Sequence, residues 1–266
     1  MKKTIFILLN YLFVGITASS QNYKISYRLT FQEAEEKVEQ EDFYLYTSSE
    51  QSTFVSDLKI RKDSIIKDKE TDIGSKMKAY KAIPQTKFDF FLQKKYETNT
   101  VLFAQKVGKY IGYQKIVPSY DWQVVDSVKK INGFSCRKGI LKLNDQTYNA
   151  WFTDEISVFD GPYFFQGLPG LILEVSCIER NYQFTFVGIE KGYSPVIYPD
   201  KSFEAITDNR DKFIQVVADW EKNTVKNLFK SGNVSMGNPD DSVQKYIKQF
   251  QSELDEKKPK FKLEIF

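Results

Sequence analysis

Histidine is absent from all 266 residues. That absence rules out a Ser-His-Asp or Cys-His nucleophile system and any metal site built on imidazole. An excess of one charge is missing as well. Lys and Arg number 38 against 35 Asp and Glu, leaving a net +3. A balance that close to neutral gives no electrostatic footprint for nucleic acid, and none is expected as a partner. Cysteine is limited to Cys136 and Cys177. No cofactor is expected, and no metal. Long apolar runs are lacking after the first twenty residues, so the rest of the chain offers no membrane-spanning segment.

The amino terminus has the three-part pattern of a secretory signal peptide. Lys2 and Lys3 give a positive start, Ile5 to Ile16 an apolar stretch, and Ala18-Ser19-Ser20 small residues before Gln21. Residues 1–20 are therefore expected to be removed, and 21–266 to form one globular domain that is exported and sits in the periplasm or against the outer membrane. In an oxidising compartment the cysteine pair invites a disulfide between Cys136 and Cys177. Closing that loop would contribute about 4 kcal/mol in the chain-entropy picture. The alternative is two separate buried thiols on neighbouring strands.

Aromatic residues are plentiful, with 22 Phe, 16 Tyr and 3 Trp. Tyr23, Ile25, Tyr27, Leu29 and Phe31 alternate with polar residues, the period of a strand with one buried face. Gln32 to Asp42 is polar and reads as a loop or short helix. Short strands are expected at Phe43–Tyr46 and Thr53–Ser56. Lys59 to Ala82 is charged and poorly periodic, which predicts a solvated excursion. Strand-like segments return at Phe88–Leu92, Val101–Val107 and Tyr110–Lys115, with Gly108-Lys109 as a turn between the last two. Further strands follow at Phe134–Leu143, Thr147–Thr153, Leu171–Glu179 and Gln183–Lys191. Asn132-Gly133 is a strong hairpin signal, because both central positions of a type I′ turn need positive φ. Phe213, Val217, Trp220, Thr224 and Leu228 switch to helical spacing. A second helix is expected from Asn238-Pro239, carrying Val243, Ile247, Phe250 and Leu254. Phe261 to Phe266 reads as a last strand, and its apolar residues are out of phase with the terminal Phe266, unlike an outer-membrane barrel ending. The expected fold is α+β: a large curved antiparallel β-sheet with two C-terminal helices packed on it. At the level of architecture only, that arrangement is similar to the half-barrel of periplasmic lipoprotein carriers.

The most distinctive stretch runs Ala150-Trp151-Phe152-Thr153-Asp154-Glu155-Ile156, then Asp160-Gly161-Pro162, then Gly167-Leu168-Pro169-Gly170-Leu171-Ile172. The glycines are no phosphate cradle, since a strand follows them and no Lys-Ser/Thr does. Pro169-Gly170 suits a type II turn, with Leu168, Leu171 and Ile172 anchoring it in the core. Gly161, Pro162 and Gly167 complete a structural motif. Gly167 to Ile172 resembles the hallmark of the GLPGLI family, secreted proteins of the Bacteroidetes and their relatives. The resemblance runs from Trp122 to about Val175. It includes Asn132-Gly133-Phe134-Ser135-Cys136-Arg137-Lys138, Ala150-Trp151 and Glu155-Ile156, while Phe152 stands where the family usually has Tyr. The resemblance implies a cell-envelope setting and no established activity or catalytic residue.

Trp151, Phe159, Tyr163 and Phe164, with Asp160 among them, are the candidate binding residues. Aromatics so clustered either line a pocket or fill the space between sheet and helices. Asp154, Glu155 and Asp160 are a candidate carboxylate group for glycoside hydrolysis, if two of them face each other across a cleft; otherwise they are strand-end residues. Three functions follow. The leading one is a non-enzymatic envelope protein that binds an apolar ligand or a protein partner. The others are a carboxylate-dependent hydrolase of envelope glycans and a structural or assembly accessory of an outer-membrane transporter.

Overall fold

The computed structural model describes residues 22–107, 109–117, 119–193 and 203–223, and six residues between 244 and 252. The expected signal peptide, the Gly108 turn position, most of the second C-terminal helix and the last strand lie outside the described residues.

Among the described residues twelve strands form one sheet. They are β1 (Tyr23–Ala34), β2 (Lys37–Thr47), β3 (Gln51–Ser56), β4 (Phe90–Lys95), β5 (Thr100–Val107), β6 (Lys109–Ile116), β7 (Gln123–Ile131), β8 (Phe134–Leu143), β9 (Gln146–Thr153), β10 (Leu171–Cys177), β11 (Tyr182–Lys191) and β12 (Phe203–Thr207). Their order across the sheet is β12-β6-β5-β4-β3-β2-β1-β11-β10-β9-β8-β7. Two meanders meet where β1 pairs with β11, and among the described residues only the β12–β6 pair is parallel. Asn132 and Gly133 both have positive φ, as do Asn144 and Asp145, so both hairpin turns adopt the left-handed conformations the sequence calls for.

The connection from β6 to β7 dictates the curvature. These strands are ten positions apart in the sheet, about 48 Å if it were flat. The seven Cα steps from Ile116 to Gln123 reach at most about 25 Å. The sheet therefore curls until its two flanks approach, and the large α+β sheet expected from the sequence is a curved one. Its inner face carries the main core, including Tyr27, Leu29, Phe43, Phe54, Phe90, Phe103, Phe152 and Phe184. The opposite face has a small cluster of Tyr46, Val55, Phe91 and Ala104.

Helix α3 (Arg210–Lys222) starts at Asn209, whose side chain accepts from the Lys212 N–H. It buries Phe213 and Val217, and the Phe213 ring packs edge-on to Phe103 at 5.8 Å. This is the first of the two expected C-terminal helices. Three local expectations are corrected. Gln32 to Asp42 is neither loop nor helix, because β1 and β2 extend through it with a tight turn at Glu35-Glu36. The charged stretch folds into α1 (Asp57–Lys67) and α2 (Ile73–Ala82). Helix α1 buries Lys59 and Lys62 rather than an apolar stripe, so apolar periodicity could not find it. The parallel strand β12 was not foreseen.

Candidate functional site

The 17-residue connection 154–170 between β9 and β10 folds back into the curl of the sheet. Phe165 N–H donates to Pro162 O at 3.1 Å, and Asp160 forms a short antiparallel bridge with Gln166. Together they close a compact turn that presses Tyr163, Phe164 and Phe165 into the core, each at most 2% exposed. Tyr163 has φ +55 and Gly161 lies against Ile172, where a Cβ would come within 2.8 Å of the Ile172 Cβ. Leu168 sits in a notch over Gly139 beside Trp122.

Pro169-Gly170 makes a different turn from the type II turn expected. Gly170 N–H bonds Leu168 O at 2.8 Å, a three-residue turn centred on Pro169. Gly170 has φ +150, and a Cβ there would fall 2.0 Å from the Thr153 carbonyl oxygen. The backbone of β9 approaches so closely that only glycine fits. Leu168, Leu171 and Ile172 are buried, while Gly167 and Pro169 are exposed.

Beneath this loop lies a group the sequence reading missed. Lys94 on β4 reaches the loop with its ammonium, pairing with Asp160 and donating to Gly161 O at 2.8 Å. Both partners are 1% exposed. Asp160 also accepts from the Gly161 N–H at 2.7 Å and from the Tyr96 hydroxyl at 2.9 Å. Burial depresses the Lys94 pKa, with the Asp160 charge opposing the shift. Burial, and secondarily the Asp160 charge, pushes Tyr96 and Tyr27 well above an ordinary phenol. Tyr27 keeps its proton and donates it to Ile172 O at 2.7 Å. The arrangement is a polar lock whose charged pair is buried and hydrogen-bonded, and it fixes the loop to the sheet. A signal for it exists. Phe90, Leu92 and Lys94 share one face of β4 by alternation, so Lys94 had to point inward.

The sequence-derived site residues separate. Phe159 is 68% exposed at the mouth of a cleft, whereas Asp160, Tyr163 and Phe164 are buried beneath it. Trp151 lies elsewhere, on the other face of β9, with the Lys129 ammonium 4.5 Å above its ring. Asp154 is exposed and ion-paired with Arg137, and Glu155 accepts from the Ser135 N–H. The three candidate carboxylates therefore share no cleft. No cluster of three or more Cys, Asp or Glu that could hold a metal occurs among the described residues.

The disulfide expectation is corrected. Cys136 and Cys177 are both free and buried. The register sets Cys177 opposite Tyr148 on β9 and Cys136 level with Thr153, five residues further along and on the other side of that strand. An offset of about 17 Å along the strands is beyond any S–S bridge. Burial raises both thiols, Cys136 to about 11.

The cleft has a volume of about 600 Å³ and opens where three turns converge. Ser48 and Ser49 come from the β2–β3 turn, Tyr96 and Asn99 from the β4–β5 turn, Ser119 and Tyr120 from the β6–β7 connection, and Ser157 to Phe159 with Gln166 from the 154–170 loop. Cross-links hold these walls. Gln166 Nε2 donates to Asn99 Oδ1 at 3.1 Å, Asn99 Nδ2 to Val117 O at 2.7 Å, and Trp122 Nε1 to Gln166 O at 2.9 Å.

A family model described as "Protein of unknown function (Porph_ging)" matches residues 104–174. That stretch carries the Gly167–Ile172 motif, and the match supports a family without an assigned function there. No curated protein matches. Two solved structures of PNGF-II, in the C2 and P21 space groups, superimpose on 76% of this chain with TM-scores of 0.55 and 0.54 at 15% and 16% identity. This chain spans about a third of their length, 33% and 34%, and the likeness is one of fold. A LolA superfamily protein from Nitrosomonas europaea aligns at 11% identity over 67% of this chain and 88% of its own. Its TM-score of 0.26 carries no argument.

Proposed function

We propose that this chain is an exported cell-envelope protein that binds a ligand in the cleft between the turns and the 154–170 loop, without catalysing a reaction. The observation that carries the reading is the preformed cleft itself: about 600 Å³, walled by side chains already cross-linked to one another. That size suits a small-molecule site, and rigid walls reduce what ordering costs on binding. Among the described residues its lining contains no carboxylate and no thiol, and with no histidine in the chain its serine hydroxyls have no imidazole or carboxylate beside them in the lining to act as a base. The inner face of the sheet is filled by Tyr163, Phe164 and Phe165, which turns the reading away from an apolar guest inside the curl and toward the cleft at its rim. Export rests on the amino-terminal pattern of Lys2, Lys3 and the apolar run after them.

Native mass spectrometry of the full chain purified from the envelope of its own host tests the reading. The expected result is a mass beginning at Gln21 with a retained small molecule, and loss of that molecule in Phe159→Ala. A chain that keeps residues 1–20 overturns export. A chain that retains nothing, and whose melting temperature does not move with concentrated dialysable envelope extract, overturns binding.

A further inference from the structure

We propose that the ligand of the cleft is a neutral saccharide. The inference rests on the binding reading above and goes further by naming the chemical class. It follows from what the walls offer and what they withhold.

Among the described residues, no Lys, Arg, Asp or Glu lines the cleft. The carboxylate buried beneath it, Asp160, is taken up by Lys94, Tyr96 and the Gly161 N–H. A phosphate, a carboxylate or an ammonium would enter without a counter-charge and lose its hydration for nothing in return. The walls instead present neutral hydrogen-bonding groups. Ser49, Ser119 and Ser157 are exposed hydroxyls, each both donor and acceptor. The side-chain amides of Asn99 and Gln166 are oriented by their mutual bond, and each keeps hydrogen-bonding capacity beyond it. Such groups match the vicinal hydroxyls of a sugar, which also donate and accept.

Two aromatic side chains complete the match. Phe159 is held out to solvent at 68% exposure, although residues on either side of it, Val158 and Asp160, are buried. Tyr120 stands on the opposing connection, its ring fixed 6.0 Å from Phe164. A pyranose has an apolar C–H face and a polar hydroxyl edge. An exposed ring beside neutral hydroxyls and amides receives both at once. A long acyl chain finds no such match, because the apolar volume beyond the cleft is already occupied by Tyr163, Phe164 and Phe165.

The test is isothermal titration, with saturation-transfer NMR, of the full mature chain and its Phe159→Ala and Gln166→Ala variants. The probes are maltotriose, cellotriose, tri-N-acetylchitotriose, glucose 6-phosphate and laurate. At least one neutral oligosaccharide is expected to bind with Kd below about 1 mM, and Phe159→Ala to weaken it by about tenfold or more. Glucose 6-phosphate is expected to bind more weakly than the best neutral oligosaccharide, and tighter binding of the phosphate overturns the neutral class. Folding of each variant is checked by its melting temperature, since Phe159 and the Gln166 side chain lie outside the core. Failure of all three neutral sugars overturns the saccharide class, as does affinity that Phe159→Ala leaves untouched. Laurate binding that is lost in Phe159→Ala overturns the class while leaving the binding reading standing. Silence of every probe together with no retained adduct in native mass spectrometry overturns both.

Discussion

Two long segments leave the sheet and return to it, at opposite ends of the strands. Residues 57–89 connect β3 to β4 through α1 and α2, and residues 154–170 connect β9 to β10. Each is tied down by a buried carboxylate, but the chemistry differs. Asp160 meets a buried ammonium, Lys94. Glu41 on β2 meets hydroxyls and a peptide: Ser56 and Thr86 donate to its Oε1, and the Lys87 N–H donates to Oε2 at 3.2 Å. The 154–170 segment also drives three adjacent aromatic rings into the core. Helix α1 docks with Lys59 and Lys62, whose ammonium groups reach Asp89 and Gln85 at 2.7 Å. One excursion is thus held by apolar burial around a charged lock, the other by a web of polar contacts with Phe88 as its aromatic anchor beside Phe31 and Phe43. The first arrangement tolerates the loss of a partner poorly, while the second should lose its contacts one at a time.

The largest effect expected is at the charged lock. Lys94→Met leaves the Asp160 carboxylate buried beside only the Tyr96 hydroxyl and one N–H. Removing one member of a buried pair typically costs about 3 to 5 kcal/mol. Lys59→Met is the matched control in the other segment. Its partners Asp63 and Asp89 are 19% and 48% exposed and keep access to water, so a loss of about 1 kcal/mol is expected. Urea denaturation of both variants measures the difference, and equal losses would erase the distinction between the two anchors.

Next in size is Gly170→Ala. The Cβ would meet the Thr153 carbonyl at 2.0 Å with φ at +150, and either the turn or the end of β9 must shift. A loss of about 3 kcal/mol is expected. Gly167, three residues earlier, has φ +91 but nothing nearer than 3.8 Å to a Cβ. Gly167→Ala should cost only about 1 kcal/mol of backbone strain. Comparable values for the two would mean that conformation alone, without the close approach to Thr153, governs the motif.

A pH experiment probes the Glu41 anchor of the 57–89 segment. Burial raises the Glu41 pKa, against the hydrogen bonds from Ser56, Thr86 and Lys87 that lower it. The folded chain therefore holds this proton more tightly than the unfolded one. The resulting stabilisation is complete below the unfolded value, about 4.3, and is lost as pH rises through the raised folded value. Glu41→Gln has no such proton. Its stability relative to the parent should rise from pH 4 toward neutrality, whatever constant offset the changed hydrogen bonds introduce. A flat difference across that range would show that the hydroxyl donors compensate burial completely.

The same contrast explains how much of the molecule could be read from its letters. Alternation exposed strands such as β1, β9 and β11, which bury one apolar face, and the Asn132-Gly133 turn exposed the β7–β8 hairpin because it demands positive φ. The buried positions of Leu168, Leu171 and Ile172 were legible for the same reason. Helices α1 and α2 were not, since Lys59 and Lys62 occupy the buried side of α1 and charge on a helix ordinarily means solvent. The Lys94–Asp160 pair brings together residues 66 apart in sequence and was missed although the alternation through Phe90 and Leu92 pointed to it. The cleft was hidden because three of its walls are turns, whose convergence depends on how far the sheet curls. Only Phe159, from the aromatic cluster singled out in the sequence, lies on it.

Phe159 provides the smallest expected effect on folding and the sharpest division within its own segment. Its neighbour Asp160 is locked into the core, and four residues later Phe164 is 2% exposed. Phe159 itself makes its surface with water, so truncation removes little packed area. Phe159→Ala should change stability by less than about 0.5 kcal/mol, measured by urea denaturation. Phe164→Ala, by contrast, empties a site packed against Phe165 at 4.1 Å and Tyr163 at 5.0 Å and should cost about 3 to 5 kcal/mol. If both truncations destabilise alike, Phe159 belongs to the core and the cleft has no aromatic platform. If only Phe164 matters to folding, an exposed ring is being maintained beside a buried one for a reason other than stability, and contact with a ligand is the role the cleft leaves for it.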